Sequence, residues 1–393
     1  MSAAPHPASG VLGPRERIVA GLMTGTSLDG LDAAVVRLRG SGRDVEIETL
    51  GFVSEPYSAA LRQRLASQVE AETSDVDGLA RLHAELAERA AEAVGAALDA
   101  AGLAPEALDL VGSHGQTVQH VPERAGDTGG AVAATFQITD AARLAVRLGV
   151  PVVADFRSAD VALGGHGAPL APYLDDCAFA HERETRVLLN LGGIANLTVL
   201  PAGGGPGDAR AFDTGPANMV MDALALRLTG EPRDHDGRLA SSGTPDLALV
   251  DALLQRPVFR QRPPKSTGRE AFGTAFVDEF VARGPESPAD LLATAVALTA
   301  RSVADALARF VDARPDRVIA SGGGVRNGAL MAALREALPC PVETTAAYGL
   351  DPDAKEAVLF ALLAHEWANG VRTGLPAVTG ARTRAMQGAL YLP

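Results

Sequence analysis

"GLMTGTSLDGLDAAVV", residues 21–36, is the stretch on which the reading of this chain turns. An apolar run enters Gly25-Thr26-Ser27, passes Asp29-Gly30 and leaves at once as a second apolar run. A plain hairpin needs only two turn residues, commonly Asn-Gly or Asp-Gly. Here the turn is crowded with hydroxyls, glycines and carboxylates, as though something were held against it. Backbone N–H groups in Gly- and Ser-rich turns can converge on phosphate oxygens, and the Thr26 and Ser27 hydroxyls add donors. Asp29 is repelled by phosphate itself but can hold a hydrated Mg2+ that bridges to it. An ordinary polar turn, with Asp29 shaping the bend, fits the same residues.

Outward from the turn, "RIVAGLM" and "LDAAVVRL" read as strands, followed by "DVEIETLGFV". Helical patterns run from about Tyr57 to Glu70 and from about Val76 to Ala101. The second carries Leu79, Leu82, Leu86 and Ala90 at helical spacing. "LDLVGSHGQT" then reads as a buried strand with a polar tip. The second half opens on the same plan. "TRVLLNLGGIANLTVL", 185–200, is again a strand, a turn of small residues at Gly192-Gly193, and a returning strand. Helices follow, including "SPADLLATAVALTARSVADALARF", and then "RVIAS" with Gly322-Gly323-Gly324 and a helix behind it. This is a weak internal repeat of one α/β unit, and it predicts two similar domains facing each other across a cleft. "PAGGGPGDAR" and "RQRPPKSTGRE" read as surface loops.

Bulk properties narrow the function. The 393 residues suffice for two domains, and an apolar fraction of 47% supports sizeable cores. A net charge of −13 and the absence of any Lys/Arg run argue against a nucleic-acid partner. Cys177 and Cys340 form no CxxC pair and no metal pattern, as expected of reduced thiols in a cytoplasmic protein. No stretch of ~18 apolar residues free of charge occurs, so no membrane span is expected. The opening "MSAAPHPASGVLGPRER", 1–17, lacks the apolar segment of a signal peptide and reads as a mobile leader.

Several further segments could carry chemistry. "ASGGGVRNG" lies between a strand and a helix, where glycine lets backbone approach a nucleotide closely. It also loosely matches a dinucleotide-binding glycine pattern, with Glu343 about twenty residues on, so an oxidoreductase competes. No GxxxxGK[ST] loop is present. In "AFDTGPANMVMD", Asp213 ends a short apolar segment and Gly215-Pro216 is expected to open a helix. Asp213 is then either a general base at a cleft or a helix-start acid. "VVADFRSADVALGGHGAPLAP" gathers Asp155, Arg157, Asp160 and His166. Arg157 could grip a carboxylate with its planar fork, whereas a lone loop histidine is more often a hydrogen-bonding group. "SHGQT", 113–117, offers His114, Gln116 and Thr117 as readers of sugar hydroxyls. Glu356 lies on a helix whose remaining residues are largely apolar, facing a ligand or solvent.

Taken together, "GTSLDGLD", "GSHGQTVQH", "DFRSADVALGGHGAPLAP", "NLGGIANLT", "FDTGPANMVMD", "PKSTGRE", "ASGGGVRNG" and "VTGARTRAMQGALYLP", in that order, resemble the anhydro-N-acetylmuramic acid kinases, from about Ile18 to Pro393. The resemblance implies an α/β fold of two RNase H-like domains facing across a nucleotide-binding cleft, as in the sugar kinase, heat-shock ATPase and actin superfamily. It implies a leader over 1–17, an N-terminal domain over 18–150 plus 372–393, and a C-terminal domain over 151–371. It implies ATP and Mg2+, with Gly25, Thr26, Ser27, Leu28, Asp29, Gly30, Leu31 and Asp32 forming the phosphate loop and Asp29 the metal contact. Gly192 and Gly193 would be the matching loop, and Gly322, Gly323, Gly324 and Asn327 would lie by the adenosine. Asp213 matches the family's general base, and His114, Gln116, Thr117, Arg157 and Glu356 match sugar-contacting positions. Arg157 is a candidate for the lactyl carboxylate or a phosphate; some relatives carry more basic residues directly after it, where this chain has Ser158 and Ala159. His166 stands where many relatives have Gln, which argues against a proton-transfer role.

The implied reaction opens 1,6-anhydro-N-acetylmuramic acid with water and phosphorylates the released 6-oxygen, giving N-acetylmuramic acid 6-phosphate and ADP in peptidoglycan recycling and amino-sugar catabolism. The implied partner is that small-molecule sugar, and the implied assembly a cytoplasmic homodimer. Two rivals stand beside it: a non-catalytic ATP-driven switch on the same fold, and the dinucleotide oxidoreductase already raised. "SHGQT" and "FDTGP" argue against the switch.

Overall fold

The computed structural model describes residues 11–25, 28, 30–69, 74–121, 132–263 and 265–393. The chain divides into two compact units. The first runs up to Ala178 and resumes at Ala354–Pro393; the second is Phe179–Asp353.

In the first unit, β1 (Arg17–Met23), β2 (Gly30–Arg39) and β3 (Glu46–Pro56) form an antiparallel meander. The quoted turn joins β1 to β2, with Met23 opposite Asp32. On the other side of β1 lie β4 (Leu110–Ser113) and β7 (Val152–Ala154), both parallel, with β13 (Ala389–Tyr391) antiparallel at the edge. The order is β13-β7-β4-β1-β2-β3. A separate two-stranded ribbon is made by β5 (Gln116–Val121) and β6 (Ala134–Ile138).

Both faces of this sheet are covered, which is why β1 reads as a continuous apolar run. One face packs on the long helix Val76–Ala101, whose buried Ala90, Val94 and Ala97 join Ala20, Leu22 and Val35 in one core. That helix starts on Asp75, whose carboxylate accepts the Asp77 and Gly78 N–H groups, and stops at Gly102 in the left-handed conformation. Against the opposite face lies the central helix Lys355–Ala368. It approaches so closely that a Cβ on Gly21 would sit 1.9 Å from the Ala357 carbonyl oxygen, and one on Gly112 2.0 Å from that of Phe360. Gly21 of the quoted stretch therefore answers to helix packing, not to the turn.

The second unit repeats the plan. β8 (Arg186–Leu191), β9 (Ile194–Leu200) and β10 (Arg210–Pro216) form the antiparallel meander, while β11 (Arg317–Ser321) and β12 (Val342–Thr344) add on in parallel. The order β10-β9-β8-β11-β12 matches β3-β2-β1-β4-β7 strand for strand, as the repeat predicts, in the RNase H-like arrangement that the resemblance implies. The helix Pro288–Phe310 is long and apolar enough to cross a membrane by composition, but it is mostly buried as the core helix of this unit, with Leu292, Val296, Leu298 and Val303 in the main cluster.

Two expectations are corrected. The division at 150 and 371 fails because β7 pairs with β4, and because the central helix packs on β1 and β4; 151–178 and 354–371 thus belong to the first unit. The leader is anchored from Val11 onward. Arg17 is buried and donates to the Val11 oxygen at 2.8 Å and to the Gly13 oxygen at 2.5 Å, while Gly13 N–H donates to Ala368 O at 2.9 Å. Residues 1–10 lie outside the described residues.

Candidate active site

The turn after β1 is tied down from behind. Gln116, fully buried, donates from Nε2 to the Gly25 carbonyl at 3.2 Å and accepts the Thr24 hydroxyl. Leu28 N–H closes on the Gly25 oxygen at 3.3 Å, with φ at +56°. The Leu28 side chain is a plug, buried with Leu61, Leu65, Leu86 and Ile138, and Leu31 belongs to the sheet core. Any nucleotide contact from these two residues would thus come from backbone. Gly30 pairs with Pro56, and a Cβ there would meet the Glu55 oxygen at 2.7 Å. Thr26, Ser27 and Asp29, three of the residues expected to hold phosphate and metal, lie outside the described residues. Among the described residues no three His, Cys, Asp or Glu side chains cluster to hold a metal.

Beside this turn the first unit gathers an arginine and several expected sugar contacts. Arg157 donates from Nε to His114 Nε2 at 2.9 Å and from Nη1 to the Gly167 carbonyl at 2.8 Å. Burial brings its pKa down to about 10, with Glu356 opposing. His114 is buried and held well below the usual imidazole range, chiefly by burial and then by Arg157. Glu356 stands in the first turn of the central helix. Its side chain is accessible, but the density of protein around it raises its pKa; Lys355 opposes the rise and Asp32 adds to it. Thr117 accepts from Gln137 at 3.4 Å on the β5–β6 ribbon. His166 is exposed.

In the second unit, Asp213 is half-buried on β10 beside a bulge between Asp213 and Gly215. Its Oδ2 accepts Thr267 N–H at 2.8 Å and the Ser266 hydroxyl at 3.3 Å, and its own N–H donates to Lys265 O at 3.2 Å. Burial raises its pKa, against the Thr267 N–H, Ser266 and Lys265. The helix-start alternative finds no support. β10 continues through Pro216, the helix Asn218–Thr229 begins beyond it, and that helix has no side-chain cap. Among the described residues, the buried Thr267 Oγ1 has no hydrogen-bond partner. Lys265 is turned inward, donating to the Val258 and Phe259 oxygens at 3.3 and 3.4 Å.

The glycines of this unit do meet. Gly192 O accepts Asn218 N–H at 3.0 Å, and Gly193 O accepts Ala217 and Met219 N–H at 2.9 and 3.1 Å, so the β8–β9 turn is clamped to the start of a helix. Gly322, at φ +81°, and Gly324 pack on the same hairpin; Cβ atoms there would meet Asn190 Oδ1 at 2.7 Å and Leu191 Cβ at 2.6 Å. Gly323 is open, with Asn218 Nδ2 the nearest atom at 3.8 Å. Such exposed backbone suits close approach by a nucleotide. Asn327 does not share this openness: its side chain accepts Leu330 N–H at 3.0 Å as the cap of the helix Gly328–Ala337 and donates to Met221 Sδ at 3.8 Å.

Three contributors escaped the sequence analysis as site-builders. Thr24 positions Gln116; Asp160, fully buried, accepts Gly167 N–H at 2.8 Å and the Thr379 hydroxyl at 2.9 Å; and the 265–267 loop holds Asp213. Asp160 stood in a quoted segment, but only an acid among glycines marked it, and its partner Thr379 is distant in sequence.

The profile of the family "Anhydro-N-acetylmuramic acid kinase" matches residues 17–393. The chain is 53% identical over 385 residues to the anhydro-N-acetylmuramic acid kinase of Salinibacter ruber, covering 96% of each chain. It is 42% identical over 385 residues to that of Caldanaerobacter subterraneus subsp. tengcongensis, covering 96% of this chain and 97% of the relative. It is 43% identical over 366 residues to that of Gloeobacter violaceus, covering 93% and 96%.

Proposed function

This chain belongs to the anhydro-N-acetylmuramic acid kinase family, and from that premise we propose that it opens 1,6-anhydro-N-acetylmuramic acid with water and phosphorylates the freed 6-oxygen from ATP. The observation that carries the reading is Asp213: a carboxylate of raised pKa, oriented by the Thr267 N–H and the Ser266 hydroxyl, with a buried Thr267 hydroxyl that has no partner among the described residues. A raised pKa makes the ionised carboxylate a better proton acceptor near neutrality.

In the proposed reaction Asp213 takes a proton from water as its oxygen bonds to the anomeric carbon. The bond from that carbon to the bridging oxygen breaks, and the oxygen's electron pair attacks the γ-phosphorus of ATP. The γ-phosphoryl bond to ADP breaks in turn. The products are N-acetylmuramic acid 6-phosphate and ADP, with the water proton on Asp213. General-base help of this kind contributes typically 10²–10⁴-fold, and phosphoryl transfer rests mainly on positioning and charge neutralisation. Arg157 binds the lactyl carboxylate, since its Nη2 makes no hydrogen bond among the described residues. Glu356, His114, Gln116 and Thr117 shape the sugar site, although Gln116 acts chiefly by fixing the turn.

The turn residues 25–32 and the glycines at 192–193 and 322–324 take the triphosphate and nucleoside; the open faces of Gly193 and Gly323 support this, with their nearest neighbours 3.4 and 3.8 Å from a built Cβ. Mg2+ keeps several waters and needs only one or two carboxylates, so Asp29, assisted by Asp32, fits that donor chemistry. When bound, the ion neutralises phosphate charge. The unpaired Cys177 and Cys340 agree with a reducing cytoplasm, and a homodimer is the proposed assembly. The test is ADP release with and without the anhydro sugar. Release dependent on the sugar is expected; equal release in both would refute the kinase reading and favour an ATP-driven switch.

A further inference from the structure

An arginine in a protein interior normally meets a carboxylate, because an uncompensated buried charge is expensive. Arg157 does not. Among the described residues it makes no ion pair, and its guanidinium is held instead by two neutral acceptors, His114 Nε2 at 2.9 Å and the Gly167 carbonyl at 2.8 Å. Guanidinium nitrogens only donate. His114 Nε2 must therefore be a lone-pair acceptor, which fixes the ring as the neutral tautomer protonated on Nδ1.

Both acceptors are themselves rigid. The His114 ring lies against Phe360 at 4.7 Å, and Phe360 against Phe156 at 5.4 Å. Gly167 N–H donates to buried Asp160 at 2.8 Å, and Asp160 accepts the Thr379 hydroxyl at 2.9 Å. Gly167 lies at φ +67°, and a Cβ there would meet Val161 Cγ2 at 2.8 Å. The fork is thus aimed from two sides without its charge being cancelled by direct contact.

We infer that His114 is a positioning residue that, as a neutral acceptor, aims the Arg157 guanidinium and keeps its charge available for the substrate's carboxylate, and so makes the enzyme selective for an acidic sugar. Its burial agrees, since desolvation and Arg157 both disfavour the imidazolium. The inference rests on the reading that Arg157 binds the lactyl carboxylate. It differs from a direct sugar contact by His114, because Nε2 already faces Arg157.

The experiment compares His114→Phe, which keeps the ring against Phe360 but has no acceptor, with His114→Gln, which can restore a neutral acceptor, and with Arg157→Ala. Each is assayed with 1,6-anhydro-N-acetylmuramic acid and with 1,6-anhydro-N-acetylglucosamine, which lacks the lactyl group. His114→Phe should raise KM for the acidic sugar roughly 10- to 100-fold, the range of a charge-assisted hydrogen bond. The KM for ATP should be little changed, and the KM for the neutral sugar should rise far less than that for the acidic one. His114→Gln should recover much of the loss, and His114→Phe should add little in an Arg157→Ala background. If Arg157→Ala leaves KM for the acidic sugar unchanged, the carboxylate reading itself fails. If Arg157→Ala raises it while His114→Phe does not, or if His114→Phe impairs both sugars equally, the positioning role is overturned. Unfolding temperatures of all three variants identify any loss caused by misfolding, and an unfolded His114→Phe leaves His114→Gln to decide: a Gln variant with lost selectivity but a normal unfolding temperature contradicts the inference.

Discussion

Asp213 and Thr267, 54 residues apart, are joined by a hydrogen bond of 2.8 Å from the Thr267 N–H to the Asp213 carboxylate. The bond orients Asp213 and partly offsets the burial that raises its pKa. Asp213→Asn retains a carbonyl acceptor for Thr267 but no base. Turnover should fall at least about 10²-fold with ATP binding little changed. Near-normal turnover in the folded variant would remove Asp213 from the chemistry.

The same shift has a stability consequence. A carboxyl whose pKa is raised on folding contributes stability that is complete below its unfolded pKa and is lost as pH rises through the folded value. The ionised Asp213 is therefore a burden at neutral pH. Asp213→Asn should melt at the same or a higher temperature than the parent near pH 7, and any gain should shrink as pH falls into the ordinary carboxylate range. A variant clearly less stable near neutrality would show that the Thr267 and Ser266 hydrogen bonds outweigh the burial.

Gly21 tests the fold apart from the site. A methyl there would run into the Ala357 backbone at 1.9 Å. Gly21→Ala should cost about 1–3 kcal/mol or more, as overpacking does, measured by denaturant unfolding. Unchanged stability would mean that the central helix lies farther from β1.

Gly323 is the reverse case, with room for a side chain and Asn218 Nδ2 3.8 Å away. Gly323→Val should fold with a near-normal melting temperature and bind ATP more weakly by calorimetry. Unchanged ATP affinity would place the nucleotide elsewhere.

How far the sequence was legible follows from the range of the forces involved. β1 to β4 and the Val76–Ala101 helix were readable because apolar periodicity and local punctuation such as Asp75 and Gly102 define them. The repeated hairpins announced the repeated sheet order. The unit boundaries were not readable. They depend on Val152–Ala154 choosing β4 as a neighbour and on the central helix seating against Gly21 and Gly112, both pairings between distant segments. Candidate site residues could be singled out by motif, but their partners could not: nothing local to Asp213 points to Thr267, nor anything near Arg157 to a neutral His114 as its acceptor. Asn327, a polar residue after glycines, also caps the next helix, a role its own segment does not show.

The central claim is that one coupled reaction opens the ring and phosphorylates the oxygen it frees, with Asp213 activating water. Its most direct test is the fate of oxygen in ¹⁸O-water, with the reaction quenched before the free anomeric hydroxyl exchanges with solvent. The account predicts one label at the anomeric carbon, none in the phosphate ester bridge, and little ring opening when ATP is omitted. Label in the ester bridge, or rapid ring opening without ATP, would contradict it.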